Sequence, residues 1–96
     1  MAEYPFDVNR LVEICRQNHV AKVSVFGSMA RGEANERSDI DLVVEFSQRT
    51  SLLSFVALER KLSVALDRRV DLLTEASISP YLREYILKDC RVIYET

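Results

Sequence analysis

Phe26-Gly27-Ser28-Met29-Ala30-Arg31-Gly32 closes an alternating apolar run. After a polar interval it is followed by Ser38-Asp39-Ile40-Asp41-Leu42. Before this stretch, Val20 to Phe26 alternates and is rich in β-branched residues, so it reads as a strand. Gly27 stops that strand, and Ser28 is placed to cap a short helix beginning near Met29. Glu33 to Ser38 is polar and reads as a loop. Ile40 to Phe46, centred on Leu42-Val43-Val44, reads as a second strand.

Asp39 and Asp41 stand two apart where that strand begins. Side chains at i and i+2 of a strand share a face, roughly 6.5–7 Å apart along the chain. Two carboxylates so placed repel each other unless a cation lies between them. Hard oxygen donors suit Mg²⁺ or Mn²⁺. A pair of such ions, roughly 4 Å apart, can clamp the attacking and leaving oxygens of a phosphoryl displacement. Taken alone, Asp-x-Asp is equally the solvated end of a strand.

Gly27-Ser28 adds a second chemistry. A glycine after a strand lets backbone approach a ligand closely, and a helix start offers free N–H groups to phosphate oxygens. Gly27 and Ser28 are therefore candidate nucleotide-binding residues, although an ordinary strand-to-helix turn has the same form. Arg31 is a further candidate, either reaching a phosphate or pairing with a nearby carboxylate. Ser38 is another, immediately before the carboxylates, where it can orient the loop. A third carboxylate is expected from Asp71, which lies between Val70 and Leu72 in a strand interior where Asp is disfavoured. There it can complete a metal site and act as a base. Asp67 is its rival, but a helix end accounts for Asp67 without any chemistry.

Outside this region, Asp7 is placed to cap a helix carrying Val8, Leu11, Val12 and Cys15 and ending near Asn18. Thr50 or Ser51 opens the longest helix, with Phe55, Leu58, Leu62 and Ala65 or Leu66 on its buried face and an end near Asp67. Arg69 to Leu73 reads as a third strand. Ser79-Pro80 starts a last helix whose apolar face is Leu82, Tyr85 and Ile86. Arg91 to Tyr94 reads as a final strand. The alternation of elements predicts an α/β (α+β) fold, a sheet covered by helices, formed as one domain over residues 1–96.

Composition, at 48% hydrophobic and 29% charged, is that of a globular protein rather than a disordered one. A formal net charge of −2 argues against a domain that coats nucleic acid, so direct nucleic-acid binding is not expected. Cys15 and Cys90 form no CxxC pair and are expected as buried thiols in a reducing compartment. His19 is expected at a helix C-terminus, and Tyr81, Tyr85 and Tyr94 as core or part-surface aromatics. Arg60-Lys61 and Arg68-Arg69 read as solvated, with Arg68 or Arg69 in reach of a phosphate or partner. Leu52, Leu53 and Phe55 make an apolar start to the long helix, either core or interface. Neither a membrane span nor a signal peptide is expected, so a cytoplasmic location is.

Together, Gly27-Ser28, ten intervening residues, Asp39-x-Asp41 and the later Asp71 resemble the DNA polymerase β superfamily of nucleotidyltransferases. Gly-Ser-x-Ala-Arg-Gly followed by Ser-Asp-Ile-Asp-Leu is similar to its minimal nucleotidyltransferase (MNT) subgroup. The resemblance is tightest over residues 26–46. It implies the nucleotidyltransferase fold, a small mixed sheet with helices mainly on one face. It also implies that Asp39, Asp41 and Asp71 bind two Mg²⁺ ions and that the Gly27-Ser28 turn binds the triphosphate, with ATP as substrate. MNT antitoxins act on a HEPN ribonuclease toxin by adding AMP to a tyrosine, so a HEPN-type partner and a hetero-oligomer are implied. The resemblance leaves two alternatives: masking of the toxin by binding alone, and transfer to a small molecule such as an aminoglycoside.

Overall fold

A computed structural model describes residues 4–35 and 37–96. Met1 to Glu3, and Glu36 of the polar loop, lie outside them. The elements are α1 (Val8–Gln17), β1 (Val20–Phe26), α2 (Ser28–Arg31), β2 (Ile40–Phe46), α3 (Leu52–Leu66), β3 (Val70–Thr74), α4 (Pro80–Asp89) and β4 (Arg91–Glu95). A 3-10 turn at Glu75–Ser77, which sequence patterning did not predict, links β3 to α4. It is closed by a Thr74–Ser77 capping box, in which each side chain satisfies the other residue's free amide.

The expected caps form at both long-range landmarks. Asp7 accepts from the Arg10 amide at 3.1 Å, and Ser51 accepts from the Ser54 amide at 3.1 Å. At the short helix the expectation is off by one residue. Gly27 is the N-cap, without a side-chain cap bond, and Ser28 is already helical. His19 does not end α1 but turns the chain after it, at φ 64°. Its carbonyl accepts from the Ser47 amide at 2.8 Å.

The sheet order is β3-β2-β1-β4. β1 runs antiparallel to β2 and β4, and β2 runs parallel to β3. The parallel pair requires a crossover, which α3 supplies. Val23, Val25, Leu42, Val44, Val70 and Leu72 share one sheet face and are buried against Leu11 and Cys15 of α1 and Leu58, Leu62 and Leu66 of α3. Burial pushes the Cys15 thiol up to about 12, so it packs as an apolar side chain and does not react as a thiolate. Cys90 is only partly buried.

The opposite face carries Asp41, Val43, Asp71 and Ser24. Leu87 and Cys90, at the end of α4, line a small cavity over this face together with Ser24, Val43 and Val92. No residue of α4 is fully buried. Leu82 and Tyr85, expected on its apolar inner face, are 54% and 78% exposed. The periodic pattern is present, but the helix rests on the sheet through its C-terminal end only.

β3 is an edge strand, and its outward amides are not left free. The Leu72 amide donates to Glu59 Oε2 at 2.9 Å, and the Val70 amide to Ser63 Oγ at 3.1 Å. Glu59 and Ser63 lie one turn apart on α3, so the crossover helix fixes the position of the strand that bears Asp71. Glu59→Ala is expected to lower unfolding stability by about 1–2 kcal/mol in urea titrations, because it strands a part-buried amide. Glu59→Gln, which keeps an acceptor, should lose less. Equal losses for the two would refute this role.

Candidate active site

The β2–β3 register pairs Asp41 directly with Asp71, and Ile40 with Val70. One residue further back, the Ile40 amide donates to the Arg69 carbonyl at 2.9 Å, which sets Asp39 across from Arg69. Side-chain alternation puts all four on the face away from the core. The three carboxylates proposed from sequence are therefore brought together, thirty residues apart in the chain. The register that pairs β2 with β3 makes them neighbours.

Asp41 feels this arrangement most. Its carboxyl is pushed above its usual value, first by burial, then by the charges of Asp71 and Asp39. Arg31 opposes the shift weakly. A carboxyl raised in the folded state adds stability only while protonated, and that contribution is lost as pH rises through its folded value. Asp41→Asn should therefore melt at a higher temperature than the parent protein at neutral pH in EDTA. The advantage should shrink below the ordinary carboxylate range. A lower melting temperature at neutral pH would show that Asp41 is not held against its neighbours' charge.

Gly27 lies directly beneath Asp41. A Cβ built on Gly27 would stand 2.6 Å from Asp41 Oδ2, and its backbone sits at φ 71°, ψ −149°. That region is essentially closed to residues other than glycine. The phosphate-turn candidate and the carboxylate row are therefore in contact. Ser28 follows as the first residue of α2, and the first amides of a helix have no acceptor four residues back.

Arg31 is paired with carboxylates. Its Nε donates to Glu33 Oε1 at 2.9 Å and its Nη1 to Asp89 Oδ2 at 3.1 Å, tying α2 to the end of α4. Ser38 is committed to its loop. Its Oγ accepts from the Asn35 amide at 2.9 Å. Arg68, read from sequence as solvated or in reach of a phosphate or partner, pins the same loop. Its Nη1 donates to the carbonyls of Asn35 and Ser38 at 2.8 and 2.9 Å. The other underrated residue is Arg69, whose Nε lies 3.5 Å from Asp71 Oδ1 and 4.0 Å from Asp39 Oδ2. The Arg69-Val70-Asp71 spacing was the available signal, since i and i+2 share a strand face.

Among the described residues, no three His, Cys, Asp or Glu side chains converge closely enough to enclose an ion. Arg69 stands among the carboxylates, so enclosing one would require side-chain rotation. The donor set nevertheless fits a hard divalent cation: oxygens only, on one face, with Asp41 disfavoured as an anion by burial and then by its neighbours' charge. A groove of about 840 Å³ lies elsewhere, between α1 and α3, lined by Ile14, Leu53, Val56, Arg60 and Val64 among others. Its lining includes none of the three carboxylates. Among the described residues, no helix is long and apolar enough to cross a membrane.

Comparison with known proteins shows the family and the fold. The nucleotidyltransferase domain family model matches residues 8–93. A protein adenylyltransferase, MntA, of Thermococcus cleftensis is 41% identical over 75 residues, covering 78% of this chain and 74% of that one. A Methanocaldococcus jannaschii protein is 42% identical over 80 residues, covering 83% and 86%. Among solved structures, a toxin–antitoxin crystallised with AMP-PNP superposes with a TM-score of 0.81 at 27% identity, covering 94% of this chain and 74% of that one. A tri-AMPylated Shewanella oneidensis HEPN toxin in complex with its MNT antitoxin gives a TM-score of 0.72 at 25% identity, covering 93% and 70%.

Proposed function

The chain belongs to the nucleotidyltransferase domain family, and from that premise we propose that it transfers AMP from ATP to a tyrosine hydroxyl of a HEPN-type toxin, acting as its antitoxin. The observation that carries this reading is the Asp41–Asp71 pairing on neighbouring strands, with Asp39 on the same face and Gly27 beneath. The printed activities of its relatives support the acceptor class: one is a protein adenylyltransferase, and another is an antitoxin bound to an AMPylated toxin.

In this reading Asp39, Asp41 and Asp71 hold Mg²⁺, for which Mn²⁺ can substitute. The metal supplies charge neutralisation at the phosphoryl oxygens and a more acidic acceptor hydroxyl. The residues of the chain do the rest. Ser28 and the first amides of α2 hold the triphosphate, and Gly27 leaves room for it. Asp71 takes the proton of the acceptor hydroxyl. The acceptor oxygen attacks the α-phosphorus, the bond to the bridging oxygen breaks, and pyrophosphate leaves. Arg31 and Ser38 act from behind, holding α2 and the loop before Asp39.

A second reading, neutralisation by binding alone, is favoured by one observation. Tyr81 and Tyr85 of α4 and Leu52, Leu53 and Val64 of α3 are 77–93% exposed, an amount of apolar surface suited to a partner. One experiment separates the two. The Asp39→Asn/Asp41→Asn protein is co-expressed with the cognate toxin, and toxin modification and cell growth are followed. Lost rescue with retained complex supports catalysis, whereas full rescue without AMP on the toxin supports masking.

A further inference from the structure

The register that assembles the carboxylates also builds a cation into them. Asp41 on β2 stands across from Asp71 on β3, and Asp39 and Arg69, each just before its strand, extend the pairing by one step, so four charged side chains are grouped on one sheet face. Arg69 is within ion-pair distance of two of the others, Asp71 at 3.5 Å and Asp39 at 4.0 Å. Among the described residues Asp41 has no ion pair. The charges acting on it are chiefly those of Asp71 and Asp39, opposed weakly by Arg31, and Gly27 is packed against it. Among the described residues, the Arg69 side chain is held by these two ion pairs. Its side chain is 74% exposed, and in the strand only its carbonyl is used, by the Ile40 amide.

A guanidinium cannot be deprotonated in a protein, so it competes with any other cation at these oxygens at every working pH. It is also the side chain best shaped to grip a phosphate when it lets go of a carboxylate. Resting on the metal-dependent reading above, we infer that Arg69 is a positioning residue that holds the carboxylates against bare divalent ions and yields to metal only when a triphosphate arrives to receive its guanidinium. The site thereby loads metal and nucleotide together. It also resists metals that would bind oxygen ligands tightly without nucleotide, a selection that affinity alone does not make.

The measurement is Mn²⁺ binding to the purified 96-residue chain, followed by electron paramagnetic resonance, for the parent protein, Arg69→Met and Arg69→Lys. Each is titrated with Mn²⁺ alone and with Mn²⁺ plus AMP-PNP. Exposed ion pairs are individually weak, so Arg69→Met should bind Mn²⁺ alone about three- to tenfold more tightly than the parent. Arg69→Lys, which keeps the charge, should stay close to the parent. With AMP-PNP the advantage of Arg69→Met should vanish or reverse. A merely structural role would move the melting temperature and leave this crossover absent. Equal Mn²⁺ affinity in the parent and Arg69→Met, or an advantage that survives AMP-PNP unchanged, overturns the inference alone. No Mn²⁺ binding by either protein overturns the metal reading along with it.

Discussion

Asp39→Asn/Asp41→Asn is expected to reduce AMP transfer from ATP by about a thousandfold or more, since removing even one preorganised group that meets developing charge costs about 10²–10³. The fold should survive. Asn has the shape of Asp, neither side chain is in the core, and the strand ladder through Asp41 is made by backbone. The loss should therefore appear without a change in far-UV circular dichroism. It should also be accompanied by the gain in metal-free melting temperature predicted for Asp41→Asn, because the substitution that removes the chemistry also removes the repulsion. Labelled ATP with the cognate toxin reads the first effect and differential scanning fluorimetry in EDTA the second. If transfer persists at the parent rate, the carboxylates are not the site, whatever their geometry.

Gly27→Ala should be nearly as damaging to transfer, by a different route. The new methyl would meet Asp41 Oδ2 at 2.6 Å, against a backbone φ of 71°. Holding a non-glycine residue in that region costs about 1–3 kcal/mol. The collision is relieved only by moving the Asp41 carboxylate or the turn itself, and either displaces part of the site. Gly32→Ala is the matched control. Gly32 has nearly the same φ, 72°, but its Cβ would meet nothing within 4 Å, so it should cost about 1–2 kcal/mol of left-handed strain. Transfer should then be largely retained. Urea unfolding and the labelled-ATP assay on the two variants test the contrast. If both lose activity equally, backbone strain rather than the contact with Asp41 governs the turn.

Much of this molecule was legible because its signals are local. β1 and β2 have the predicted bounds, since alternation and a stopping glycine are written within seven residues. The cap at Asp7 and the proline at the start of α4 are local in the same way. β3 slid by one residue, to Val70–Thr74, because a strand end in a parallel pair is set by its neighbour and not by its own side chains. α4 shows the converse limit. Its spacing of Leu82, Tyr85 and Ile86 is amphipathic, yet nothing in periodicity says whether a surface exists to cover that face.

The Gly27 to Asp41 stretch, by itself, determined the turn, the two carboxylates on one side of a strand and the family to which the chain is similar. It did so because each of these depends on neighbours in sequence. Tertiary structure decided the remainder. The parallel pairing of β2 with β3, secured by Glu59 and Ser63 from the crossover helix, set Asp71 beside Asp41 and Arg69 beside Asp39. It also left Arg31 bonded to Glu33 and Asp89, and Ser38 to the Asn35 amide. Charges that lie thirty residues apart act on each other only through distance in space, and strand register alone sets that distance.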